Sequence, residues 1–159
     1  MSTEPDTTDQ DRGHDEDDLG DLLQEMRVLL QGAQVLTAFL IILPFNQRFE
    51  TISEREEWVY IATFVLSVLS LVLFSAPAAQ HRLLRPLQDR ERFKNHATRF
   101  LIAGLAAASV ALVLATQLVT NQVVGTTPSL ICAGGVALAV AAFWWIYPWR
   151  KRRELSAAP

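Results

Sequence analysis

The sequence predicts an all-α fold, a four-transmembrane-helix bundle with a disordered acidic N-terminal tail. Three observations lead there. Half of the 159 residues are hydrophobic, yet the mean hydropathy is only +0.19, because polar and apolar residues are segregated. Ten of the 17 acidic residues fall within Met1 to Glu25, and the four apolar runs contain none. Each run holds about 20 residues, which at about 1.5 Å per residue covers the ~30 Å hydrocarbon core of a bilayer. The net charge of −3 is a property of the tail, and it supplies no basic footprint for nucleic acid.

Residues 1–18 are acidic and aliphatic-free after the initiator, a composition that cannot bury enough surface to fold. His14 lies beside Asp15, Asp17 and Asp18, but nothing preorganises a metal site there, and a solvated charge run is the better reading. There is no basic n-region with a short apolar stretch and cleavage site, so no signal peptide is expected. The transmembrane domain is residues 19–149. Its first helix starts near Asp18, with Asp18 and Asp21 favourable at the positive end of the helix dipole. The first span, about 26–45, holds the apolar run Val28 to Phe45, which is interrupted only by Gln31, Gln34 and Thr37 and is closed by Pro44.

A short charged connection follows, and Ser53-Glu54-Arg55-Glu56 has the spacing of a capping box. It opens the second span, about 58–79, which Pro77 should kink or end. Residues 81–96 form a basic connector, with Pro86 suited to a first helical turn. The third span is about 97–120. Thr127-Pro128 then supplies an N-cap and first turn for the fourth, about 129–149, and residues 150–159 form a basic tail. Cys132 is the single cysteine, so no intramolecular disulfide exists, and it reads as a small apolar packing residue. Gly104 and Ala108, Ala107 and Ala111, and Gly135 and Ala139 are each four apart, as close helix packing in lipid requires, and Gly134-Gly135 permits a bend or tight crossing.

Basic residues set the orientation. Arg12, Arg27, Arg82, Arg85, Arg90, Arg92, Lys94, Arg99, Arg150, Lys151, Arg152 and Arg153 fall on one side of a four-span topology, and only Arg48 and Arg55 on the other. Twelve against two puts both termini in the cytoplasm of a multi-pass cell-membrane protein. Trp58 and Tyr60 mark the outer interface, and Trp144, Trp145, Tyr147 and Trp149 the inner one. The Arg150 to Arg153 cluster is read as a topology anchor rather than an anionic-lipid site.

The candidate site lies at the start of the first helix. Gln24, Arg27, Gln31 and Gln34 recur at three- and four-residue steps on one stripe, with Glu25 just off it. Such a stripe should point into the bundle or a water-filled cavity. The topology sets it level with His81, Arg82, His96 and Arg99, so a charge cluster pairing Glu25 with Arg82 or Arg99 is expected. A structural cluster is favoured over a proton relay. No Asp, Glu, Lys, Arg or His lies at the centre of any span, and glutamine binds without titrating. Nucleophile elbow, phosphate-binding glycine loop and HExxH pair are all absent, so no enzymatic activity is expected and no metal or cofactor site is assigned.

Gln24-Glu25-Met26-Arg27-Val28, Gln31-Gly32-Ala33-Gln34-Val35-Leu36, Leu43-Pro44-Phe45 with Arg48-Phe49, and Ala76-Pro77 with His81-Arg82-Leu83-Leu84 carry a resemblance. Over about Leu19 to Val119 the chain resembles a domain-of-unknown-function family of small four-helix bacterial membrane proteins. Some of these carry an automatic sodium:proton antiporter label. The resemblance implies the same topology and a bacterial inner membrane. It marks Glu25, Arg27, Gln31, Gln34, His81 and Arg82 as motif positions, with Pro44 and Arg48 on the outer side. The expected function is a non-enzymatic accessory or interaction protein. The alternative is a small oligomeric cation/proton antiporter, and a lipid-binding or membrane-organising role is a third. The lipid bilayer is the expected partner, with a second copy of the chain or a protein held by the acidic tail as further candidates.

Overall fold

The computed structural model describes residues 7–45, 53–83 and 90–156. Those residues are helical throughout except at Ser53 and Gly125. Helix α1 is Thr7–Ile42, closed by a 3-10 turn at Leu43–Phe45; α2 is Glu54–Leu83 and α3 is Arg90–Val124. The fourth span is composite: α4, Thr126–Val140, runs through a π-helical turn, Ala141–Ile146, into α5, Tyr147–Ser156. Four segments are long and apolar enough to cross a membrane: Gly20–Phe45, Glu54–Gln80, Asn95–Val124 and Thr126–Arg153. The expected all-α, four-span architecture is the one observed.

Several boundaries differ from expectation. Helix α1 begins at Thr7, within the tail expected to be disordered. Pro77 does not end α2, which continues to Leu83. The ring is fully buried, so packing offsets the backbone hydrogen bond it removes. Pro86 lies outside the described residues. Gly125 rather than Thr127 caps α4, with φ +83°, a left-handed conformation that glycine adopts without strain. Pro128 follows in the first turn, where its missing N–H costs nothing.

The π-helical turn has a sequence cause. Pro148 cannot donate to the carbonyl four residues back, and its ring crowds that carbonyl. The turn before it widens, and the Tyr147 amide donates to Ala142 O, five residues back.

The core sits between α2 and α3, which share the largest interface. Its residues recur at three- and four-residue steps or their sum: Thr63, Ser67, Ser70, Phe74 and Pro77 on α2, and Ala97, Gly104, Ala107, Ala111, Ala115 and Leu118 on α3. Such a 3.5-residue repeat is the signature of left-handed packing in membrane bundles. Helix α1 adds Met26, Ala33, Thr37 and Leu40 against α2. Gly104 provides the closest approach: a Cβ there would lie 2.7 Å from Phe74 Cε1 and 3.3 Å from Leu73 Cβ.

Helix α4 packs on α3 and makes no comparable contact with α1 among the described residues. It is the outlying element, with 11% of its most apolar stretch buried against 33% for α3. Gly134 and Gly135 are exposed, with nothing within 4 Å of a Cβ. The tight crossing expected there is not made within the chain, and Cys132 is exposed rather than packed. Trp144, Trp145, Tyr147 and Trp149 are all exposed near the end of this span, and the Arg153 guanidinium lies 3.7 Å above the Trp149 ring.

Candidate functional site

Helix α1 presents two faces. Its inner face is joined to α2 by two hydrogen bonds. The Thr37 hydroxyl donates to Ala33 O at 2.8 Å and lies 2.6 Å from Ser67 Oγ. A hydroxyl has one hydrogen, so Ser67 donates across the interface to Thr37. Nearer the end of α1, the Tyr60 hydroxyl donates to Leu40 O at 3.0 Å. Both contacts lie in apolar surroundings, where a polar group without a partner is costly.

The outer face carries the polar stripe. Gln24, Arg27, Gln31 and Gln34 are all exposed, as is Glu25. The buried positions Met26, Ala33, Thr37 and Leu40 lie well around the helix from the stripe, so the stripe points away from the bundle rather than into it. Arg82 and Arg99 are exposed, and Glu25 forms an ion pair with neither. The expected pairing of Glu25 with Arg82 or Arg99 is therefore not made among the described residues of one chain. The turn holding Pro44 is only partly buried. Arg48 and the His81 side chain lie outside the described residues.

Two of these side chains are placed where polarity is expensive. Gln31 and Gln34 belong to the apolar segment Gly20–Phe45 and have no hydrogen-bond partner among the described residues. Gln34 is about 16 Å of helix from Phe45 and about 10 Å from Arg27, the nearest charged residue before it, beyond the reach of its own side chain. An amide at that depth can donate and accept hydrogen bonds but cannot titrate.

A second polar assembly lies at the opposite end of the helices. Glu56 Oε2 accepts from the Ser53 amide and the Ser53 hydroxyl, each at 2.8 Å, and the Glu56 amide donates to Ser53 Oγ at 3.4 Å. This is the capping box that the spacing predicts. The other oxygen, Oε1, accepts from the side-chain amide of Asn121 and, at 3.5 Å, from that of Gln122. Ser129 Oγ donates to Thr126 O at 2.7 Å and lies 3.4 Å from Asn121 Oδ1. One carboxylate thus joins the start of α2 to the end of α3. Its acceptor positions are filled by protein donors, which makes it a clasp between helices. Sequence reasoning found the box and missed Asn121, because no local signal links positions 65 residues apart.

No curated protein and no solved structure matches the chain. A family model does match, over residues 7–148, which takes in the fourth span as well as the motifs of the first two helices. Four membrane-length helices and a match across most of the sequence agree: the chain belongs to the family of unknown function DUF6328.

Proposed function

We propose that the chain is a non-enzymatic accessory or interaction protein of the bacterial inner membrane, multi-pass, with both termini in the cytoplasm. The observation that carries this is the outward stripe of α1, where Gln31 and Gln34 stand exposed at hydrocarbon depth without partners. Lipid chains cannot hydrogen-bond, and polar side chains inside a membrane point toward other helices. A stripe turned away from its own bundle is therefore a surface for another helix.

The buried polar side chains among the described residues support the same reading. Thr37, Thr63, Ser67, Ser70, Ser109 and Ser129 all carry hydroxyls, which do not change charge near neutral pH. All but Ser67 donate to a carbonyl of their own helix, and Ser67 donates to Thr37. Such groups hold helices together without storing a proton, whereas an antiporter needs a titratable group in its path.

Site-specific photo-cross-linking in native membranes tests the proposal, with the probe at Gln34 and, as a lipid-facing control, at Val65. A protein adduct at Gln34 and none at Val65 is expected. Lipid adducts alone at both positions would remove the basis for an interaction role. Cation-dependent proton flux from the purified protein in vesicles would replace it with the antiporter reading.

A further inference from the structure

The outward face of α1 follows a rule. From Gly20 through Gln24, Arg27, Gln31 and Gln34 to Ala38 the steps are four, three, four, three and four, and all six residues are exposed. This is a heptad seam. Positions repeating every 3.5 residues stay aligned along a contact when a second helix winds around the first with a left-handed supercoil. The inner seam, Met26, Ala33, Thr37 and Leu40, keeps the same spacing and is covered by α2. No helix of the same chain covers the outer seam among the described residues.

The chemistry of the seam selects its occupant. Gln31 and Gln34 need donors and acceptors at their own depth, which excludes lipid chains and favours a helix bearing matched polar side chains. An amide is its own complement, since each can donate to and accept from another. Copies of one membrane protein share one orientation. A two-fold axis along the membrane normal therefore sets Gln31 beside Gln31 and Gln34 beside Gln34, an isologous contact needing no other partner. Gly20 and Ala38 bound the seam, and nothing lies within 4 Å of a Cβ at Gly20, so the backbones can approach closely there. Arg27 is seven residues nearer the N-terminus than Gln34, and its long stem can carry the charge to the headgroup layer.

We infer that α1 is a dimerisation helix whose occupant is a second copy of this chain, in a parallel two-fold dimer joined by interchain glutamine pairs at positions 31 and 34. The inference rests on the interaction role proposed above and names the partner.

The test uses purified full-length protein in phospholipid vesicles, in a Cys132→Ala background that removes the exposed native thiol. Single cysteines are placed by Gln31→Cys, Gln34→Cys or Val65→Cys, and copies with wild-type glutamines are labelled for energy transfer. Oxidation should give covalent dimers from the first two variants and none from the third. Energy transfer should fall with lipid dilution, and Gln31→Leu/Gln34→Leu should weaken association about tenfold. Leucine on an exposed face should leave helix content and melting of the monomer intact, so lost dimerisation is separable from lost folding. Absent energy transfer, cross-linking through Val65 alone, or unchanged association of the leucine variant would each overturn the inference. If the vesicles show only monomers while Gln34 still traps a different protein in native membranes, the interaction role stands and the second copy falls. If Gln34 traps no protein in either setting, both fall.

Discussion

Helix α3 and helix α4 are both rich in small residues, and they use them differently. On α3, Gly104 lets the Phe74 ring approach until a Cβ would sit 2.7 Å from it, and Ala107 and Ala111 are buried on the same seam. On α4, Gly134 and Gly135 face open space. The difference lies in position within the fold, since α3 has neighbours on both sides and, among the described residues, α4 packs chiefly on α3. A small residue in a membrane helix permits close approach without enforcing it. Helix α1 repeats the contrast on a single element, with one heptad seam filled by α2 and the other exposed.

The comparison can be broken experimentally. The largest expected effect is at Gly104. Gly104→Val forces a branched side chain into a buried ring and should cost about 3 kcal/mol by overpacking, read as unfolding in detergent. Glu56→Ala comes next, because it removes the capping box and the clasp to Asn121 together. A loss of about 2 kcal/mol is expected, and a loss below ~0.5 kcal/mol would show that the clasp contributes little. Between α1 and α2, a double-mutant cycle of Thr37→Val and Ser67→Ala should give a coupling of about 0.6 kcal/mol, the average for hydrogen bonds between membrane helices, and no more than ~1.7 kcal/mol. The smallest effects belong to the exposed positions. Gly135→Val and Glu25→Gln should each change the stability of the isolated chain by less than ~0.5 kcal/mol. A large loss at Gly135 would mean that α4 has a packing partner, and one at Glu25 would restore the expected charge cluster.

Much of the fold was legible in the sequence, for reasons particular to membranes. A span must be about 20 apolar residues of helix, since the bilayer leaves no other way to satisfy the backbone of an isolated segment. That requirement predicts all four spans from composition. Ser53 and Glu56 were legible too, because a capping box is a local bond across three residues. The start of α1 at Thr7 and the passage of α2 through Pro77 were not, and at Pro77 burial overrode local preference.

The candidate site divides in the same way. The sequence alone determined that Gln24, Arg27, Gln31 and Gln34 share one stripe of one helix, because helical periodicity depends on spacing alone. It also determined that two of them sit among residues too apolar to be solvated. Which way the stripe faces was decided only by tertiary structure. In water, burial tells polar from apolar faces; in lipid both faces of α1 lie outside water, and the hydrophobic effect cannot choose between them. The choice went to packing and hydrogen bonding. Thr37 met Ser67 and Leu40 met Tyr60, which turned the seam of Met26, Ala33, Thr37 and Leu40 inward and left the glutamines facing out.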